Sequence, residues 1–149
     1  MFNVLRTGAA IAPISTAGIA LSAASAAGTE LTVVEHAANE AVIDTGDKGD
    51  TAGDILTFAN EIFDAGNVNA IGTDNGWCAR TVPGKAWECF WTLRLKDGQI
   101  TVEGPFLDAG DSVLAVTGGT GAYAGARGEM KLHARDAKAP EFDFVYSLQ

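Results

Sequence analysis

The segment from Ile100 to Leu132, ITVEGPFLDAGDSVLAVTGGTGAYAGARGEMKL, constrains the fold of this chain more than any other. Within it, Ile100 to Phe106, Ser112 to Val116 and Glu129 to His133 alternate in polarity or stay apolar over strand length. Gly118, Gly119, Gly121, Gly125 and Gly128 bound these runs. Glycines so placed supply turns with positive φ and let neighbouring backbones approach closely, which is how a sheet curls and closes on itself.

The rest of the chain reads the same way. Strands are predicted at about Glu30 to Ala37, Asp54 to Phe63, Asn69 to Thr81, Ala86 to Lys96, Gln99 to Leu107, Ser112 to Val116, Arg127 to Arg135 and Glu141 to Leu148, with no convincing amphipathic helix between them. The short turns VPGK (Val82 to Lys85) and KDGQ (Lys96 to Gln99) favour sequential antiparallel pairing. The expected class is all-β: an eight-stranded antiparallel up-and-down β-barrel of the calycin kind, with room for one small ligand. Residues equidistant from the Pro83–Gly84 junction should face each other, which sets Cys78 opposite Cys89, Arg80 opposite Trp87 and Gly76 opposite Trp91. Leu93 shares that face, so it is expected to point inward.

Residues 1–27 stand apart. A short n-region charged only at Arg6, an apolar run from Ala9 to Leu21 and the small-residue stretch SAASAAG fit a secretory signal peptide cleaved near Ala26 or Ala27. The expectation is a signal peptide at 1–27, a single domain at 28–149, and a secreted or periplasmic product with no further membrane attachment. Losing Arg6 moves the formal charge from −9 to −10, and a surface so acidic disfavours nucleic acid and anionic membranes. The 47% hydrophobic content suffices for one core.

With the glycines placed on strands, the chain resembles the allene oxide cyclase family and, more distantly, the dirigent proteins that share its barrel. VEGPFLDAGDSVLAVTGGTGAYAGARGEMKL is similar to the family's GPY...YLAVTGGSG-F-G-YG-VKL signature, and GDILTFANEIFD, from Gly53 to Asp64, is similar to GDLVPFSNKLY. The resemblance covers nearly all of the mature domain. It implies an eight-stranded barrel with an elongated apolar cavity, a homo-oligomer (a trimer in the cyclases, a dimer as the other choice), no cofactor, and a small hydrophobic molecule as the partner. It also implies site residues. Glu35 in VVEHA falls where the cyclases carry a cavity glutamate thought to help open an epoxide, Asn60 in FAN matches their cavity asparagine, and Cys78 corresponds to a cavity cysteine. Two positions depart from the family: Ala37 stands where it has asparagine, and Phe106 replaces the tyrosine of GPY.

Several positions admit two readings. Glu35 shares a strand face with Leu31 and Val33; it is either a buried carboxyl with a raised pKa and a function, or a rim residue in water. Asn60, on the face of Leu56, Phe58 and Ile62, either contacts a ligand or makes a structural hydrogen bond. Cys78 and Cys89 are the only cysteines, and export favours a cross-strand disulfide over a reduced pair of small apolar groups. Asp44, Asp47, Asp50 and Asp54 in DTGDKGDTAGD lack the spacing of a calcium loop and read as a solvated turn cluster. His36 and His133 are expected outside, no metal is expected, and the TGGTG glycines lead into a strand, which excludes a dinucleotide site.

The functional expectation is a secreted barrel that guides intramolecular cyclisation or isomerisation of an apolar unsaturated substrate. Glu35 and Asn60 would be catalytic, and Leu56, Phe58, Cys78, Trp87, Trp91 and Phe106 would shape the cavity. The alternatives are a dirigent-like or lipocalin-like binding protein without chemistry, and a barrel packed solid that works through its outer surface.

Overall fold

The computed structural model describes residues 28–136 and 139–149. The signal-peptide reading of residues 1–27 lies outside them. Among the described residues there are strands and turns and no helix: β1 (Thr29–His36), β2 (Glu40–Ile43), β3 (Ile55–Asp64), β4 (Ala70–Val82), β5 (Ala86–Leu95), β6 (Gly98–Leu107), β7 (Ser112–Gly121), β8 (Gly128–Asp136) and β9 (Ala139–Leu148). Each strand from β3 to β9 pairs antiparallel with the next, β9 pairs with β1, and β1 returns to β3, so the sheet closes.

The nine strands form eight staves, because β1 and β2 lie end to end along the same edge of β3. Val33 to His36 face Asp64 to Glu61, and Glu40 to Ile43 face Phe58 to Ile55. Paired residue numbers sum to 97 in the first stretch and 98 in the second, so one extra residue sits in the crossing at 37–39. That is a β-bulge, and it inverts which alternate residues face inward. Glu40 therefore shares the inner face with Phe58. Sequence pattern ends the first strand at Ala37 and gives no sign of β2, whose four residues are all exposed and lack the alternation of a half-buried strand.

The hairpin register is as the sequence indicates. Cys78 lies opposite Cys89, Arg80 opposite Trp87 and Gly76 opposite Trp91. Trp87, Trp91 and Leu93 are buried, whereas Trp77 and Phe90 form a cross-strand pair on the outside. The core runs through the barrel interior, from Val33 and Ile62 through Leu93, Ile100 and Met130 to Phe144 and Tyr146. β7 extends to Gly121, beyond the predicted end at Val116, because Gly118 and Gly119 continue the pairing with Thr101 and Ile100 past a bulge.

Gly76 fits beneath the Trp91 indole because it has no side chain. A Cβ there would collide with Trp91 Cβ and with the Phe90 carbonyl oxygen, neither of which can move without shifting the strand. Gly76→Ala is expected to cost about 3 kcal/mol or more, a melting-temperature loss on the order of 10 °C. A thermal melt that moved by only a degree or two would show that β4 and β5 have slack here.

Candidate functional site

The inner face carries a narrow cavity of about 40 Å3, bounded by Leu56, Phe58, Trp91, Phe106, Leu132, Phe142 and Phe144, by both cysteines, and by the carboxyl-bearing Glu35 and Glu40. Phe106 and Phe142 meet edge to face, with centroids 6.1 Å apart, and Phe58 stands edge-on to Trp91 at 5.9 Å. Phe58, Phe106 and Phe142 are only half-buried, so their rings have room to swing. A ligand larger than a few waters requires that movement.

Glu35 sits near the end of β1, opposite Phe142 of β9 and Ile62 of β3. It is 6% exposed, and burial, followed by the charge of Asp74, holds its carboxyl well above the ordinary glutamate range. Of its two sequence readings, the structure has the buried one. Its partners are specific. Asn60 Nδ2 donates to Glu35 Oε1 at 2.7 Å, and Asp74 lies within hydrogen-bonding reach.

Asn60 does two things at once. Its Oδ1 accepts the backbone N–H of Asn39 at 2.9 Å and shares that of Ala38, at 3.1 Å, with the His36 carbonyl, pinning the bulge, while its amide nitrogen orients Glu35. It is 2% exposed and does not bound the cavity, and the hydrogen bonds it makes are to the chain itself. The family's asparagine at the Ala37 position has no counterpart, and Ala37 is simply packed inside.

Cys78 and Cys89 are bonded to each other, so Cys78 enters the cavity wall as half of a disulfide rather than as a thiol. Leu56, Phe58, Trp91 and Phe106 bound the cavity. Trp87 does not: it faces inward beneath Arg80, whose guanidinium carbon lies 3.9 Å from the ring centroid. Arg80 is further fixed by Asp50 at 2.6 Å and Asp108 at 2.7 Å. Elsewhere in the aspartate-rich loop the carboxylates bond the loop's own backbone, Asp54 accepting from Thr45 and Thr51 and Asp44 from Gly49. Both histidines point outward. His36 stacks on Phe63 and bonds Asn67 Oδ1 at 2.7 Å, and His133 pairs with Asp111 at 2.6 Å. Among the described residues no three metal-ligating side chains stand together.

Six residues of the site are not picked out by sequence reasoning: Glu40, Leu132, Phe142 and Phe144 on the cavity wall, and Asp74 and Tyr146 behind it. Asp74 is 1% exposed, and burial pushes its carboxyl up to about 7. Glu40, exposed at one side, is raised by the partial burial of its carboxyl at the cavity wall, and Tyr146, fully buried, is held well above the usual phenol range. Asp74 carries a usable signal, because the hairpin register that pairs Cys78 with Cys89 also sets Asp74 opposite Leu93 on the same inner face.

The allene oxide cyclase family model matches residues 30–138. Among solved structures, a pyocyanin demethylase superposes with a TM-score of 0.68 at 24% identity, covering 79% of this chain and 100% of that one. An exo-specific intermolecular Diels-Alderase superposes at 0.66 with 16% identity, over 83% of this chain and 98% of the other. A pterocarpan synthase dirigent protein superposes at 0.62 with 13% identity, over 81% and 92%. At these identities the three structures establish a shared barrel.

Proposed function

The chain belongs to the allene oxide cyclase family, and from that premise we propose that its barrel takes up a small hydrophobic molecule and guides an intramolecular cyclisation or isomerisation within the cavity. The observation that carries this reading is Glu35, a buried acid on the wall of a cavity otherwise lined by aromatic and aliphatic groups. Holding the reacting ends of a flexible substrate together removes much of the entropic barrier, and one positioned proton donor does the rest. The names of the structural neighbours, a demethylase, a Diels-Alderase and a pterocarpan synthase dirigent protein, support a barrel that tolerates varied ring chemistry.

A binding protein without chemistry is the second reading. It is favoured by Ala37 and Phe106, which leave the site without the amide and hydroxyl that the family signature carries there. Export belongs to the same proposal, supported by the Cys78–Cys89 disulfide, which persists in oxidising compartments. So does a homo-oligomer, supported by the exposed Trp77–Phe90 pair on the outer wall.

Native mass spectrometry of the purified protein after exposure to cellular lipid extracts tests the proposal. A stoichiometric adduct of one small apolar compound per chain is expected. Failure to retain any such compound would leave the barrel as a packed structural module.

A further inference from the structure

Two buried carboxyls meet behind the cavity wall. Asn60 lies between them: its amide nitrogen donates to Glu35 Oε1, and its backbone N–H donates to Asp74 Oδ1 at 3.3 Å. The other oxygen, Asp74 Oδ2, has no donor, although the residue is only 1% exposed. A buried carboxylate oxygen without a donor is costly, and a proton on one of two adjacent carboxyls is the group that can join them. The surrounding elements add no positive charge. β2 contributes Glu40, β9 the Tyr146 hydroxyl and β5 the Trp91 indole N–H, the last two lying beside each other. Among the described residues no Lys, Arg or His bounds the cavity, and Arg80 is held by Asp50 and Asp108.

We propose that Asp74 is a positioning residue that acts through Glu35: the two carboxyls hold protons as a unit, Asp74 donates its proton to Glu35, and Glu35 donates its own into the cavity, selecting an uncharged ligand with an acceptor oxygen and rejecting carboxylates. This rests on the reading of the cavity as a ligand site. If chemistry occurs, the Glu35 proton passes to the ligand oxygen as the Asp74 proton moves onto Glu35. The negative charge is then left on Asp74, away from the ligand, and the proton returns along the same path when the rearranged product gives it up. Loss of one proton from the pair leaves the remaining one between Glu35 and Asp74, with none to offer. Because burial raises Asp74 to about 7, this switch falls near neutral pH.

The test uses the mature chain and two ligands of matched size, 2-acetylnaphthalene and 2-naphthoate, with tryptophan fluorescence reporting binding. In the wild type, affinity for the ketone is expected to fall about tenfold between pH 6 and pH 8, and naphthoate to bind at least tenfold more weakly at pH 6. Asp74→Asn, which leaves Glu35 to titrate alone, should move the midpoint of that pH dependence away from its wild-type value. An unchanged midpoint in that variant, or naphthoate binding as tightly as the ketone, overturns the proposal. Carboxyl 13C resonances of labelled Glu35 and Asp74 decide the pairing without a ligand and without a variant: each should report two coupled steps, and independent single steps at ordinary carboxyl pH overturn it. If neither naphthalene binds, the ligand-site reading fails, and the carboxyl titration still upholds or overturns the pair.

Discussion

Glu35→Gln is expected to cut turnover of any substrate found for this barrel by about 10²- to 10⁴-fold, the usual share of a positioned proton donor, while ligand affinity changes far less. The same substitution should make the protein more stable at alkaline pH. A buried acid whose folded pKa is raised costs nothing while it is protonated in both states, below the unfolded value near 4.5. The cost grows as pH climbs toward the folded value, because the folded state must then ionise a shielded group or retain a proton that the unfolded chain has released. The glutamine amide keeps an acceptor for Asn60 and a donor for Asp74 but never ionises. The melting temperature of the variant should therefore exceed that of the wild type by several degrees at pH 8, with little difference at pH 4. Paired melts at the two pH values, together with product formation, check both halves. Equal turnover in the variant would show that the chemistry does not depend on the Glu35 proton. Equal stability at pH 8 would show that Glu35 is better solvated than its 6% exposure indicates.

Asn60→Leu has the second large effect. It removes the acceptor of the Ala38 and Asn39 N–H groups and the donor to Glu35 together, while adding an apolar side chain of similar size. Each unmet buried polar group costs about 1–3 kcal/mol. Because the bulge is partly open to water, the expected total is about 2–4 kcal/mol, a substantial part of the stability of a domain this size. Asn60→Asp separates the two duties. It keeps the acceptor for the bulge and loses the donor to Glu35, so the seam should survive while the acid pair is driven further up in pH by a third carboxyl. Hydrogen exchange at Ala38 and Asn39 reads the first duty, and the carboxyl titration reads the second. Fast exchange at both amides in Asn60→Asp would mean that Asn60 does not hold the bulge through its oxygen.

The barrel is legible in the sequence because alternation and glycine placement report directly on pleat and turn. Gly76 and Trp91 occupy opposed positions that the Pro83–Gly84 hairpin alone determines. Glu35 is legible through its strand face and its family position. The carboxyl pair is not, because Glu35 and Asp74 belong to strands that meet only through β3. Pairwise register within one hairpin places Asp74 on the inner face but cannot say which strand will curl round to meet it. β2 and Glu40 escape for another reason. The bulge breaks the two-residue period that reveals strands, and no periodic signal survives a change of phase within three residues.

The crossing at 37–39 also makes chain length a control on chemistry. Removing its one extra residue would leave every pairing of β1 and β2 with β3 in place, because two residues would then face Asn60 and Ala59 and the ladder would run through without a break. It would, however, remove the bulge whose N–H groups occupy Asn60 Oδ1. A single-codon deletion would thus free the amide oxygen of the residue that orients Glu35, loosening a structural pin without touching the carboxyl itself.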